Sequence, residues 1–447
     1  MYNGSTRHVF AKGRLNVLYW AQLLHSYQPP TQLHGVLAKV YEESYLPLLE
    51  VFEKHPHAKV TVNINASLTE LLAQHGYWPF IEGLRNLAER GQIEFTGSGK
   101  YHPILPLIPH REMERQISQN RKANRYFFGP GYRPQGFFPP EMCYSRNIVE
   151  PIVASGHRWI ILSGVACPVQ WPVDVIHEIA SDDDRLAVFF RDDILSNKIA
   201  FQTLGAQGFL DHLEKSRRGR EDTYIITAMD SETFGHHLRD WETLFLAEVY
   251  EELVPRRESY DHIQQTKELA AEHRGLLEAV EVSREVQMVT VSELLDLFPT
   301  GQIVEPKASS WSTTDDDIAA GNPYPLWLDK DNEIHRLQWE HTNLCIELVH
   351  RAKERANNDE TRRYADIARG LLDRALHSDQ FWWACRRPMW DVNLIHRGLL
   401  QQSEVLVNAY KAINASGASQ DEKREYYYRL VVARDLRDKI VDKLFLQ

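Results

Sequence analysis

A chain of 447 residues exceeds the usual size of one domain, and 43% hydrophobic with 11% aromatic residues can fill a core and still line a groove with rings. Lys and Arg number 51 against 62 Asp and Glu, and the net charge of −11 repels phosphate backbones and anionic lipid surfaces alike. Nucleic acid and membrane are therefore not expected as partners.

The opening twenty residues hold no apolar stretch of signal-peptide length, and no later run is long enough to cross a bilayer, so a cytoplasmic location is expected. Strand-like runs then follow at 15–23, 59–65, 92–97, 135–138, 158–163, 223–230 and 287–291, each rich in β-branched and aromatic residues. Segments of helical spacing lie between them, at 35–55, at 67–76 with Ser67 as N-cap and Glu70 closing a capping box, and at 111–128. Alternation of this kind predicts a parallel sheet covered by helices, either open and doubly wound or closed as a barrel. Two apolar runs flanking an acidic turn near 174–193 predict a hairpin inserted between strands, forming one wall of a cleft. From about residue 330 the pattern is helical only, at 333–356, 360–377, 392–413 and 421–445. The expected organisation is a catalytic body over 1–305, followed by a linker loop and helical domain over 306–447 that contributes to the cleft. Cys143, Cys167, Cys345 and Cys385 are far apart, which indicates neither a zinc site nor a disulfide framework, and no metal or other cofactor is expected.

In a barrel, chemistry gathers at the C-terminal ends of the strands. Here the first strand runs into "HSYQPP" with His25 and Gln28, and the third carries Glu94 into "GSGKYHPILPLIP" with His102. The fourth ends in "PPEMCYS" with Glu141, and the sixth in "MDSETFGHH" with Asp230, Glu232, His236 and His237. Two acids on separate strands are the minimum equipment for glycoside hydrolysis, one as nucleophile or base and one as proton donor. Glu141 and Asp230 form the natural pair. An ionised Glu141 is needed for attack, whereas Asp230 must start protonated, its pKa raised by burial and by the like charges of Glu141 and Glu232.

The same segments resemble the first four motifs of glycoside hydrolase family 57, in the same order, and "PKASSWSTTDDD" resembles the fifth. The resemblance implies an α/β fold, an incomplete (β/α)7 barrel followed by a C-terminal α-helical domain. It also implies a retaining glycoside hydrolase acting on α-glucans, with Glu141 as nucleophile and Asp230 as acid/base. The partner implied is an oligo- or polysaccharide, with 4-α-glucanotransferase or branching activity as the alternative on the same scaffold. One departure from the family pattern is Tyr27, where a second histidine often stands.

Around the acids, His25, Gln28, Glu94, His102 and His236 are candidate sugar contacts; His25 and His102 have a rival reading as satisfied core residues, Glu94 as a loop anchor, and of the adjacent His236 and His237 only one is expected to face the cleft. Trp311, and Asp379, Trp382 and Trp383 in "SDQFWW", are candidates for the substrate groove, with interdomain packing the rival for the last two. Trp311 is expected to stack on an acceptor sugar without affecting the chemistry at Glu141. Two further classes remain, a metal-dependent carbohydrate deacetylase or mannosidase, and a noncatalytic glucan-binding protein.

Overall fold

The structure is a computed structural model and describes residues 17–182, 184–216, 221–254 and 286–445. Its strands are β1 (Leu18–Ser26), β2 (Val60–Ile64), β3 (Ile93–Phe95), β4 (Gly136–Phe137), β5 (Trp159–Ser163), β6 (Ile176–Ser181), β7 (Asp184–Arg191), β8 (Thr223–Asp230), β9 (Val286–Val289) and β10 (Thr300–Ile303). The first two residues of the expected strand 15–23 lie outside the described residues.

Strand β1 is buried along its whole length, as suits a mostly apolar run interrupted by Gln22 and ending in His25 and Ser26. Its side chains alternate between two cores: Leu18, Trp20 and Leu24 face the outer helices, while Tyr19, Ala21 and Leu23 join Trp159, Phe189 and Ile226 inside the barrel. It pairs in parallel with β8 on one side and with β2 on the other, and β2 continues to β3. From β3 the ring passes to β4 through the backbone of Gly97, which accepts from Phe138 and donates to Gly136. Strands β4, β5 and β7 follow in parallel, and β7 comes back to β8, where the Asp192 amide donates to the Ile226 carbonyl at 2.8 Å. Gly136 is required in this wall, since a Cβ there would lie 1.9 Å from the Trp159 ring.

Seven strands thus make the barrel, but not the seven expected. The apolar pair near 174–193 is indeed an antiparallel hairpin, β6 with β7, yet β7 also pairs in parallel with β5 and is itself a barrel stave. Conversely, the run at 287–291 gives β9, which among the described residues pairs only with Leu18–Ala21 of β1. The alternation of strand and helix misled here, because β5 and β7 are joined through a strand rather than a helix.

The helix after β2 starts at Ala66 with Asn65 as the N-cap residue, so the expected capping box at Ser67 and Glu70 does not form. A tertiary contact replaces it: Asn120 Oδ1, from the helix His110–Phe128, accepts from the Ala66 amide at 2.8 Å, while Glu70 pairs with Lys100 at 2.7 Å. Ser67 Oγ is left buried without a partner.

Four long helices, Glu333–Arg355, Asp359–Ala375, Val392–Asn414 and Gln420–Phe445, account for most of the last third of the chain. They join the barrel through one continuous apolar cluster, in which Ile104, Met113, Phe137 and Tyr144 pack with Trp339, Leu348, Leu372 and Phe381. A buried ionic network lies on the same junction. Glu112 accepts two bonds from Arg369 at 2.8 and 2.7 Å and lies 2.6 Å from His350, while Asp373 accepts from Arg115 at 2.8 and 2.7 Å and from Arg369 at 2.8 Å. The network lines a surface cleft of about 670 Å³, away from the strand ends. All four cysteines are free, and no helix among the described residues is long and apolar enough to cross a membrane.

Candidate active site

The strand register brings the polar strand ends to one mouth of the barrel. His25 at the end of β1 is level with Asp230 at the end of β8 and with Asn63 near the end of β2. Glu141 follows β4 in a short turn, where it adopts φ 58° and ψ 17° and Met142 adopts φ 49°. Two consecutive left-handed residues without a glycine cost roughly 1–3 kcal/mol each, and such strain persists only where the surroundings enforce it. The enforcement is visible: Pro139 and Pro140 fix the approach, the Trp311 amide donates to the Glu141 carbonyl at 3.1 Å, and Tyr144 and Ser309 exchange backbone bonds at 2.8 and 3.1 Å. The loop around Trp311 is therefore zipped onto the loop that carries Glu141.

The Glu141 carboxyl sits among several parts of the chain. Trp311 Nε1 donates to Oε2 at 2.9 Å, Ser378 Oγ lies 3.3 Å from Oε1, and His102 Nδ1 lies 3.6 Å from Oε1. Burial, then the charges of Asp230 and Asp379, push its pKa up to about 8, against the Trp311 and Ser378 donors. Asp230 is also raised, first by burial and then by Glu232, with the Arg191 guanidinium opposing. Among the described residues its side chain accepts no hydrogen bond. The expectation of an ionised Glu141 beside a protonated Asp230 is thus only half met in the free site: both acids are raised, and it is with Glu232 that Asp230 shares its titration.

The other expected residues divide. His25, His102, Asp379 and Trp311 converge on the acids. His25 stacks on Phe138 with centroids 4.6 Å apart, and burial holds its pKa down to about 4, against the Asn63 bond. His102, at φ 56°, lies under Tyr27 with ring centroids 3.9 Å apart. Asp379 accepts from the Tyr27 hydroxyl at 2.5 Å and lies 3.0 Å from His377 Nδ1, so the residue that departs from the family pattern is tied to the helical region. Gln28 donates to Glu232 at 3.0 Å, and Tyr45 donates to the same carboxylate oxygen. His236 is engaged by Glu43 at 2.6 Å.

Glu94 points elsewhere, accepting from Thr61 at 2.8 Å and from the Ser292 amide at 3.0 Å. Trp383 is a core residue packed with Ile334, Ile395 and Leu399, and Trp382 is half-buried against the same cluster. Trp311 spends its indole N–H on Glu141, so its expected independence from the chemistry there does not hold. Sequence reasoning missed Asn63, Tyr45, Ser378 and Arg191. The last ends β7, carries its guanidinium 5.8 Å from the Trp311 ring and is 4% exposed. Reading β7 as a barrel strand would have singled it out. Among the described residues no group of three or more His, Cys, Asp and Glu is arranged to hold a metal.

A parallel barrel with paired buried carboxyls at its C-terminal mouth, roofed by residues from a following helical region, defines a two-acid barrel protein. The chain belongs to glycosyl hydrolase family 57, which it matches over residues 8–306. It is 33% identical over 146 residues to α-amylase 1 of Dictyoglomus thermophilum, covering 32% of this chain and 21% of that protein. It is 27% identical over 220 residues to a 4-α-glucanotransferase of Thermococcus kodakarensis, covering 47% of this chain and 32% of the relative. The matched part thus spans a third or less of these curated relatives. In fold it is similar to a solved α-amylase of Thermotoga maritima, with TM-score 0.64 and 16% identity, covering 94% of this chain and 97% of that one.

Proposed function

We propose that this protein is a retaining glycosidase acting on α-1,4-linked glucans through a covalent glycosyl-enzyme intermediate. The observation that carries the reading is Glu141, held in a strained left-handed turn at the barrel mouth, gripped by the Trp311 indole and facing Asp230. In the productive form the pair holds one proton, on Asp230. Glu141 attacks the anomeric carbon while Asp230 protonates the departing oxygen; Asp230, now ionised, then takes a proton from the water that releases the sugar from Glu141. Hydrogen-bonding by Trp311 stabilises the charge on Glu141 before attack, and Tyr45 and Gln28 hold Glu232 beside Asp230. The similarity to α-amylases and 4-α-glucanotransferases supports an α-glucan substrate. Transfer to a second sugar in place of water is the alternative on the same residues, supported by the transferase relatives.

The test is product analysis with maltooligosaccharides and starch, alongside the Glu141→Ala variant with external azide. A glycosyl azide of inverted anomeric configuration would identify Glu141 as the nucleophile. Full activity in that variant, or turnover only of acetylated sugars that is lost on metal removal, would overturn the proposal.

A further inference from the structure

Rings that the proposed reaction does not use gather on one surface beyond the barrel mouth. His34, the first residue of the helix His34–Val40, stacks on His75 with ring centroids 4.2 Å apart and planes within 10°, and both residues are exposed. Tyr77 stacks at 4.1 Å on the buried Tyr41, is itself only half-buried, and holds its hydroxyl 3.5 Å from His34 Nε2. Trp78 follows, 41% exposed, with its ring 6.0 Å from that of Phe127, and Leu33 beside His34 is 56% exposed. Leaving large rings in water gains nothing for folding, and apolar surface gathered in one place marks a binding face.

Two connections tie this face to the acids. Along the chain, Gln28 donates to Glu232 at 3.0 Å, Gln32 donates to Gln28 at 2.8 Å, and the Leu33 amide donates to Gln32 at 2.9 Å. That path leads from a buried carboxyl through half-buried amides to the exposed His34. Across one helical turn, Tyr45 donates to the same Glu232 oxygen while Tyr41 supports Tyr77. The helix advances about 6 Å from Tyr41 to Tyr45 and about 16 Å from His34 to Tyr45, so the rings begin within a few sugar units of Glu232. A glucan offers what such a face can hold: each sugar has a C–H face to stack on a ring, and hydroxyls to bond imidazole nitrogens, the Tyr77 hydroxyl and the two amides. None of these side chains is an acid, a lysine or an arginine, which suits an uncharged polymer.

We propose that His34, His75, Tyr77 and Trp78 form an outer track that anchors a long α-glucan where it leaves the barrel mouth. The inference rests on the reading of that mouth as an α-glucan site and extends it, because a chain held at both places presents its bonds to the acids at high effective concentration. Polymers are then favoured over short oligosaccharides.

The test is affinity electrophoresis of the full chain in native gels containing amylopectin, in the Glu141→Gln background so that nothing is cleaved. Adding His75→Ala or Trp78→Ala should each weaken retention roughly 3- to 10-fold, the loss of one stacking contact. Both positions are exposed, and circular dichroism checks that the fold is kept. Adding Tyr428→Ala, which removes an exposed ring from the helix Gln420–Phe445, should leave retention as it is in Glu141→Gln alone. In otherwise unaltered enzyme, His75→Ala and Trp78→Ala should lose more kcat/KM on amylopectin than on maltotriose. Retention unchanged by either track variant, weakened equally by Tyr428→Ala, or absent from the start overturns the proposal. So does light scattering that shows a dimer dispersed by the track variants while retention stays, since the face would then belong to a second copy of this chain. The gel reads binding without turnover, so a failed azide test leaves the track standing, and a failed gel leaves the nucleophile assignment standing.

Discussion

Replacing Glu141 with Gln removes a titratable group while keeping the shape of its neutral form. The amide oxygen can accept from Trp311, and its N–H2 can donate to Ser378. The parent pKa stands at about 8 against an ordinary 4.5, a difference of roughly 3.5 units at about 1.4 kcal/mol each, or about 5 kcal/mol as an upper figure. The side chain is 17% exposed, so water relieves part of the penalty, and roughly 3–4 kcal/mol is the working expectation. The sign follows from the raised value. Below pH 4.5 the acid is neutral folded and unfolded, and the parent has its full stability; as pH rises toward and through 8 the unfolded chain ionises freely while the folded one resists, and stability is lost. The variant should therefore match the parent at pH 4 and exceed it by that amount at pH 9, while losing nearly all turnover. Chemical denaturation midpoints followed by circular dichroism at both pH values measure the difference. Parent and variant curves that stay parallel between pH 4 and 9 would refute the account of Glu141 as a buried, resisting acid.

Asp230→Ala should lower turnover of glucans by roughly 10²–10⁴-fold, with much smaller loss on aryl glycosides whose leaving group needs no proton, measured by parallel kinetics on the two substrates. Trp311→Phe removes one hydrogen bond to a charged group, worth about 1.5–3 kcal/mol, so kcat should fall roughly 10- to 100-fold on short and long oligosaccharides alike; a loss confined to long substrates would mark a stacking platform. Arg369→Met leaves Glu112 and Asp373 buried with fewer partners and should destabilise by about 3–5 kcal/mol in thermal or chemical unfolding at pH 7. Burial works against it, but His350 and Arg369 hold Glu112 down to about 2; its contribution is present above pH 4.5 and lost as pH falls toward 2, so the variant's deficit should shrink in acid.

Six of the seven barrel strands, and the polar residues just past them, could be read directly because both depend on local signals: apolar runs of fixed length and the polar clusters that end them. The four C-terminal helices were equally plain, with ends within two residues of those observed at Glu333–Arg355 and Val392–Asn414. The β5 to β7 connection was not, since an antiparallel pair is legible locally while the parallel partner of one of its strands, β5, is a tertiary fact. The same limit hid Ser378, which lies 237 positions from Glu141 and touches it only after the helical region has docked. Glu94 shows the opposite error. A glutamate in a strand beside a motif reads as functional, yet its bonds to Thr61 and Ser292 tie neighbouring strands together.

The apolar cluster that runs unbroken from Phe137 and Tyr144 into Trp339 and Phe381 bears on how this protein can be cut. A gene fragment ending near residue 306, where the family match stops, would encode every barrel strand and both acids. It would also bare the whole inner side of that cluster and strand Glu112 without its guanidinium. Domain shuffling, reporter fusion or minimal-enzyme engineering should therefore keep the barrel and the four C-terminal helices in one cassette, with no junction between residue 306 and the end of the helix Gln420–Phe445.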